Sequence, residues 1–278
     1  MIVLSRYSEV TAALREPNIV LDSSTRQLRD EAHALLSSTH LATWISDWDA
    51  DWRGQFADLP EHFDFIVDFA EPLCRRLAAQ VTGIDDSAAL LLAPVALKLF
   101  DAAANREAAA TAINTMMLVI QSPLKLQAFA ALCHILPAFL GNACCALLTH
   151  PVEMARLVAK PEILPDAIEE LLRFAGPSVA VFRQSANGQR IKLELAKANR
   201  DPDVFPAPAR LQFNRRGAGH VALGAGPHAC AGEALIRRAT QTPILLFARR
   251  FSGRTTAFRP EPVETGTLRS MRSLLVHT

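Results

Sequence analysis

The feature that most constrains this chain is a glycine-rich loop around one cysteine, GAGPHACAG at residues 224–232, followed by the helical pattern EALIRRA. Glycines allow a positive φ and let another group approach the backbone closely. A cysteine just ahead of a helix N-terminus lies near the positive end of the helix dipole, which favours the thiolate. Cys230 is therefore a candidate for the single axial ligand of a flat macrocycle, as in thiolate-ligated haem. The alternative is a buried structural cysteine in a glycine-rich turn.

The loop resembles the haem-binding loop of the cytochrome P450 superfamily, whose pattern is F-G-x-G-x-[HR]-x-C-x-G-x-x-L-A-R. Leu223 stands where the family has phenylalanine, and Ile236 stands where it has a small residue. The resemblance implies haem b as the cofactor, with Cys230 as the iron ligand and the other matching residues of the loop around the haem. The matching residues are Gly224, Gly226, His228, Cys230, Gly232, Leu235 and Arg237.

A second resemblance lies upstream, in DAIEELLRFAGPSVAVFR at residues 166–183. Glu170 and Arg173 are three residues apart, so a helix places them on one face, where they can pair. The segment resembles the family's E-x-x-R helix and the strand after it, whose arginine reaches a haem propionate; the resemblance gives Arg183 that role. It also implies that Arg210 completes a Glu170–Arg173–Arg210 ion-pair network that holds the cysteine loop. E-x-x-R alone is very common, and the order of the motifs makes it specific.

An apolar run at residues 128–148 is long enough to span a bilayer. It contains His134, Pro137 and Asn142 and lacks flanking basic or aromatic anchors, so we predict a buried central helix and no membrane association. Its end, LGNACCALLTHP, resembles the end of the family's central helix. Counting back from that end puts the family's oxygen-activating signature at residues 131–136, where its glycine, acid and threonine are all missing.

His134 stands at the position of the family's acid. A histidine can move protons near neutral pH, so His134 is a candidate catalytic residue. Pro137 lacks a backbone N–H, which leaves the Cys133 carbonyl free and should bend the helix there. The alternative is that His134 is a core histidine bonded to a freed carbonyl.

Hydrophobic patterns and turn residues indicate a mainly α chain with small β elements. The resemblance implies an abbreviated cytochrome P450-like haem-thiolate fold, which we expect to form a single domain over residues 1–278. The predicted elements are a strand at residues 2–4, a helix at about 8–15, an amphipathic helix over 62–83, a hairpin turning at Asn187-Gly188, and a final hairpin over 258–277 that contacts the pocket.

A helix beginning near Thr25 would place Arg29 and His33 on one face. In the family, a helix in this region sends a basic pair to a haem propionate, so the resemblance makes these two residues candidates for haem binding. The alternative is a solvated helix face. The early segment RYSEVTAALREPN also resembles the family, but the elements that normally precede it are absent from this sequence.

The net charge of +1 gives no reason to expect nucleic acid or another polyanion as a partner. The charge is uneven, however, because 16 Lys and Arg face 6 Asp and Glu from Arg183 onward. This basic part contains the cysteine loop and could attract an acidic ferredoxin-like electron donor. The alternative is that these arginines bind haem propionates or are simply solvated.

The five cysteines are an odd number and form no CxxC pair. Four of them lie in apolar helical patterns, which predicts reduced thiols and a cytoplasmic location. The N-terminus shows no basic region followed by an apolar run, so no signal peptide is predicted.

The resemblance implies a haem-thiolate oxidoreductase acting on a small apolar molecule, a natural product by expectation. Because the threonine of the oxygen-activating signature is missing, peroxide is easier to use than dioxygen plus electrons, and no protein donor is then needed. A monooxygenase, a peroxygenase and a haem-catalysed rearrangement or dehydration all remain open. The alternatives from other classes are a non-catalytic haem-thiolate protein that binds gas or recruits a partner, and a haem-free scaffold.

Overall fold

The computed structural model describes residues 1–16, 38–101, 105–215, 217, 219–254 and 256–277. The chain is mainly helical with small sheets, as predicted. The α-helices are α1 Tyr7–Arg15, α2 Ser38–Ala57, α3 Glu71–Thr82, α4 Asp86–Ala96, α5 Arg106–Ile120, α6 Pro123–Ala130, α7 Leu136–Thr149, α8 Pro151–Ala159, α9 Leu164–Ala175, α10 Leu195–Ala198, α11 Glu233–Ala239 and α12 Gln241–Phe251. The strands are β1 Ile2–Leu4, β2 His62–Asp64, β3 Val181–Gln184, β4 Arg190–Leu193, β5 Ala257–Thr265 and β6 Leu268–His277.

The strands form two three-stranded sheets. In the first sheet, β4 lies between β1, to which it is parallel, and β3, to which it is antiparallel. The turn between β3 and β4 contains Gly188 at φ 81°, so the hairpin predicted at Asn187-Gly188 is confirmed. In the second sheet, β6 pairs antiparallel with both β2 and β5, which confirms the predicted C-terminal hairpin.

The central helix is continuous over the 27 residues Pro123–Thr149 and consists of α6, a π-helical turn at Ala131–Ile135, and α7. Among the described residues it is the one helix long and apolar enough to cross a membrane. Inside this fold 72% of its most apolar window is buried, as in a core helix. It packs against α9, α12 and β6, in agreement with the predicted buried central helix.

The π-helical turn lies at the position where we predicted an irregularity. The N–H of Leu136 donates to the carbonyl of Ala131, five residues earlier. Pro137 follows at once and cannot donate to the carbonyl of Cys133, four residues before it. The wider turn therefore takes up the interruption that the proline imposes, without ending the helix.

Residues 62–83 do not form one helix. His62–Asp64 is the strand β2, and a π-helical turn at Phe65–Ala70 leads into α3. Asp64 stabilises the junction between the strand and the π-helical turn. Its carboxylate accepts the N–H groups of Ile66 and Val67 in the turn and also that of Leu274 on β6. The helix prediction was wrong for the first three residues because strand pairing with β6 satisfies their backbone instead.

Candidate functional site

A cavity of about 340 Å³ lies between the cysteine loop and the central helix. Its volume falls within the range of small-molecule and cofactor sites. The loop contributes Leu223, Gly224, Cys230, Ala231 and Gly232, and the central helix contributes Gln127, Ala128, Ala131, Leu132, Ile135, Leu136 and Phe139. Among the described residues, the polar side chains that line the cavity are Gln127, Ser178, Arg183 and the Cys230 thiol.

The cysteine loop is folded by its glycines. Gly224 and Gly226 adopt φ angles of 73° and 56°, which side chains with a Cβ rarely adopt. A Cβ on Gly226 would lie 3.2 Å from Cγ of Arg15, so glycine also lets the loop pack against α1. The N–H of Cys230 donates to the carbonyl of Leu223 at 2.7 Å and closes the loop. As a result, Cys230 is held at the cavity wall just before α11.

The surroundings of Cys230 oppose the thiolate that the sequence predicts. Burial raises the pKa of the Cys230 thiol, and this effect outweighs the N–H of Gly232 and the positive charge of Arg237, which lower it; Glu233 raises it further. The dipole of α11, a helix of seven residues, does not make this cysteine a thiolate by itself. A bound metal ion would do so, because a coordinating thiol loses its proton. The described residues contain no cluster of three His, Cys, Asp or Glu that could hold a metal ion.

Arg183 on β3 enters the same cavity. Its Nη1 donates to the carbonyl of Phe182 at 2.7 Å, but its Nε is buried and has no hydrogen-bond partner. Burial lowers the pKa of Arg183 to about 10. A buried donor without an acceptor costs free energy, and a carboxylate in the cavity would satisfy it. The site thus combines a thiol with an arginine that can receive an acidic group.

Glu170 and Arg173 form a bidentate ion pair within α9. Nε and Nη2 of Arg173 lie 2.7 and 2.8 Å from the two carboxylate oxygens, and both residues are buried. The third charge in the network belongs to Arg215, whose Nε lies 3.2 Å from each oxygen of Glu170. Arg210 contributes only its carbonyl, which accepts from Arg173 and Arg215. The prediction for the Arg210 side chain was therefore wrong.

Arg215 was not predicted because the motif contains a single arginine, at the position of Arg210. The next six residues, LQFNRR, contain two further arginines. The network also fixes the chain that leads to the cysteine loop. Arg173 donates to the carbonyls of Asn199 and Pro208, and Glu170 accepts the N–H of Gln212 at 3.0 Å. The buried charges thus anchor the segment between β4 and the cysteine loop to α9.

The structure places His134 away from the cavity. Its Nε2 lies 2.8 Å from the carbonyl of Ala93 on α4, and its ring packs edge-on against Phe100. His134 does not line the cavity, because Ala131, Leu132 and Ile135 take that face of the helix. Burial lowers its pKa and favours the neutral ring. This placement favours the alternative of a core histidine, although its acceptor is the carbonyl of Ala93 and not the carbonyl freed by the proline.

Several predicted site residues receive no side-chain assignment. His228 lies in a short 3₁₀ turn, Gly226–His228, but its side chain is outside the description. Arg29 and His33 lie outside the described residues. The C-terminal hairpin contributes no described residue to the cavity wall, so that part of its prediction was wrong. It supports the wall from behind, because the N–H of Arg269 donates to the carbonyl of Pro177 at 2.8 Å.

An ion-pair clamp joins α11 to α9 behind the cysteine loop. Nε of Arg237 lies 2.7 Å from Glu169, and its Nη1 lies 2.8 Å from Glu233. Nε2 of His220 lies 3.2 Å from Glu169. Burial raises the pKa of Glu169, but the His220 ring and the Arg237 guanidinium beside it outweigh this effect and lower the pKa to about 2. Two carboxylates therefore neutralise a basic residue that sequence analysis counted in the positive surface.

Comparison with known proteins points to one fold and one group of relatives. Cytochrome P450 107B1 of Saccharopolyspora erythraea is 35% identical over 134 residues, which cover 44% of this chain and 33% of the relative. Vitamin D(3) 25-hydroxylase of Pseudonocardia autotrophica is 38% identical over 134 residues, covering 44% and 31%. The chain spans about a third of the length of the curated relatives it matches. No family model matches the chain.

Among solved structures, P450BioI in complex with an acyl carrier protein that carries hexadec-9Z-enoic acid superimposes with a TM-score of 0.85. The superposition covers 99% of this chain and 91% of that chain at 19% sequence identity. The fold is therefore that of the cytochromes P450, in a form with fewer residues. Within that class, this chain is related in sequence to the bacterial cytochromes P450 along about half of its length.

Proposed function

We propose that the cavity binds haem b with the Cys230 sulfur as the axial ligand of the iron. The observation that carries the proposal is that Cys230 and the buried, unpartnered Nε of Arg183 line one cavity. A haem has an iron that accepts a thiolate and propionates that accept an arginine N–H, so it meets both requirements at once. Gly224 and Gly232 line the cavity and keep this part of its wall free of side chains that would obstruct a flat ligand.

When bound, the haem would supply oxidation chemistry at its iron, where a thiolate favours cleavage of an O–O bond. The residues of this chain would provide a largely apolar cavity that excludes water and holds a small apolar substrate. The similarity to an enzyme named vitamin D(3) 25-hydroxylase supports an apolar substrate class. We therefore propose a cytochrome P450-type oxidoreductase, with a natural product as the expected substrate.

The central helix favours peroxide as the oxidant. Its described residues at the cavity wall carry no hydroxyl and no acid, and His134 faces α4 instead. Gln127 is the polar residue that the helix contributes, and an amide is a poor proton donor. A peroxide brings its own O–O bond and protons, so it needs less from the protein than dioxygen does. A redox-neutral rearrangement or dehydration makes equally small demands on this helix.

The clamp on Arg237 limits how an electron donor could dock. Arg237 is already paired with Glu169 and Glu233, whereas Arg238 is exposed on the same helix. An acidic ferredoxin-like donor would therefore meet less positive charge near the cysteine loop than the sequence implies. This supports the peroxide branch, in which no protein donor is needed.

The five free cysteines fit our proposal of a reducing, cytoplasmic setting.

The second candidate function is haem-thiolate binding without turnover, for gas binding or partner recruitment. The same apolar face of the central helix favours it, because no described group at that face is suited to proton delivery. It shares the cofactor site with the first candidate and differs only in whether a product forms.

The experiment that tests the function compares oxidants on the haem-loaded chain. A panel of small apolar compounds is incubated with hydrogen peroxide alone, or with ferredoxin, ferredoxin reductase and NADPH. The proposal expects product with peroxide alone and none from Cys230→Ala prepared in the same way. Strict dependence on the ferredoxin system would reject the peroxygenase branch. Shifts of the Soret band without any product, under either condition, would favour the non-catalytic candidate.

A further inference from the structure

A second cleft opens on the surface beside Arg200 and Arg269. Its volume is about 580 Å³, and it is separate from the cavity that holds Cys230. Four basic and two acidic side chains line it, so its charge is positive. The lining residues are Ser5, Arg6, Ala196, Lys197, Arg200, Asp201, Pro202, Asp203 and Arg269.

Arg200 and Arg269 form the inner wall of this cleft and are both half-buried. Nη2 of Arg200 donates to the carbonyl of Phe174 at 2.9 Å, and its guanidinium lies 5.0 Å from the Phe174 ring centre. Nη2 of Arg269 donates to the carbonyl of Gly176 at 3.2 Å. A guanidinium has five N–H donors, and each of these two uses one toward the described residues. Neither forms an ion pair with a described residue.

The end of α9 does not account for this much positive charge. Both contacts fall at the C-terminus of α9, where the helix dipole is equivalent to about half a negative charge. Two guanidinium groups exceed that by more than one unit. Burial lowers the pKa of both groups. The charges of Arg269 and Arg173 lower the pKa of Arg200 further, whereas Glu264, which is paired with Arg269 across the hairpin, raises the pKa of Arg269. Arg200 and Arg269 therefore bring two like charges close together, and a bound anion would reduce their repulsion.

One of the two acidic side chains of the cleft, Asp201, is held by backbone donors. The carboxylate of Asp201 accepts the N–H groups of Tyr7 at 2.8 Å and Asp203 at 3.1 Å. Lys197 is held by Glu194 at 2.6 Å, so it also has a partner. Among the described residues, the basic side chains of the cleft that form no ion pair are therefore Arg200, Arg269 and Arg6.

We propose that the Arg200–Arg269 pair is a binding site for a phosphate group, either free or as part of a larger molecule. A phosphate dianion balances both guanidinium charges, and its oxygens match the forked donors of arginine. The cleft is open to solvent, so the group can carry a substituent that extends past Arg6. This site is independent of haem and stands even if the proposed function fails.

The test titrates the purified chain with inorganic phosphate and with pyrophosphate at constant ionic strength, followed by calorimetry and thermal unfolding. We expect saturable binding and a rise in Tm with each ligand. Sodium chloride at the same ionic strength should give no such rise in Tm. Losing one charge-assisted contact should weaken binding about tenfold in Arg269→Gln. Arg259→Gln removes an exposed arginine of the same hairpin and is the matched control.

Arg269→Lys protects the test against a folding defect in the glutamine variant, since it keeps the charge and loses the fork. It should fold as wild type and still bind more weakly. If inorganic phosphate binds but pyrophosphate does not, the site takes a free phosphate; tighter binding of pyrophosphate indicates a substituted one. No saturable binding at millimolar phosphate, or equal affinity in wild type and both Arg269 variants, would overturn the proposal.

Discussion

Arg215 places its Nε 3.2 Å from both oxygens of Glu170, the buried carboxylate that Arg173 already grips from the same helix. The carboxylate therefore sits between two guanidinium groups that come from distant parts of the chain. Because Arg215 lies in the segment that leads from β4 to the cysteine loop, its ion pair ties that segment to α9. The stability of the site depends on this pair and not on the side chain of Arg210.

Replacing the two arginines should separate their roles. Arg215→Ala removes a nearly buried charge-assisted contact and should lower the free energy of unfolding by about 2 kcal/mol. Arg210→Ala removes an exposed side chain and should change it by less than about 0.5 kcal/mol. Urea unfolding of both variants measures the difference. Equal losses in the two variants would return Arg210 to the network.

His134 should matter for stability and not for turnover. His134→Ala loses the hydrogen bond to Ala93 and leaves a gap, so we expect a loss of about 1–3 kcal/mol with unchanged haem content and product formation. Burial lowers the pKa of His134 below the ordinary value of a histidine, 6.5. As the pH drops, His134 therefore binds a proton in the unfolded chain at a higher pH than in the folded chain. For this reason the free energy of unfolding falls as the pH drops below about 6.5.

The pH arm of that experiment is urea unfolding of wild type and His134→Ala between pH 5 and pH 8. The variant should lose less stability on acidification than wild type does. A reduced turnover rate with unchanged stability would instead return His134 to a role in the chemistry.

Glu169 should govern stability at lower pH. Its pKa falls from 4.5 to about 2 in the folded chain, where His220 and Arg237 hold it. Its ionised form therefore stabilises the fold above pH 4.5, and that stabilisation is lost as the pH falls through the range from about 4.5 to about 2. Thermal unfolding of wild type and Glu169→Gln across this range should show a shallower dependence in the variant. Parallel curves would mean that the clamp on Arg237 contributes nothing.

In the haem-free chain, the Arg183 side chain should lower the stability of the fold more than it raises it. Its buried Nε lacks a partner when the cavity holds no ligand, so Arg183→Gln should leave the stability of the haem-free chain unchanged or higher. The same variant should bind haem about tenfold more weakly, because a charge-assisted contact to a propionate is lost. Haem titration and urea unfolding of the haem-free chain give the two values. Unchanged haem affinity would remove Arg183 from the site.

The sequence predicted the parts of the fold whose signals are local. The cysteine loop, the i,i+3 spacing of Glu170 and Arg173, and the Asn187-Gly188 turn each specify their own geometry. The direction of His134 was not predictable, because it lies within a π-helical turn, where the angular spacing of side chains differs from that of an α-helix. The choice of Arg215 over Arg210 depends on the path of an irregular segment, for which no periodicity exists.

The protonation of Cys230 illustrates a second limit. The position ahead of a helix predicts a thiolate, but the opposing cost of burial depends on atoms that come from many elements. The prediction for the residues of β2 was wrong for a similar reason, since their pairing partner β6 lies more than 200 residues further along the chain.

The most direct test of the account is the absorption spectrum of the reduced, carbon monoxide-bound protein after reconstitution with haem. The account predicts one haem per chain and the red-shifted Soret band of a thiolate-ligated iron, with that band lost in Cys230→Ala. If the chain binds no haem, or if wild type and Cys230→Ala bind it with identical spectra, the Cys230 sulfur is not the ligand and the central claim is wrong.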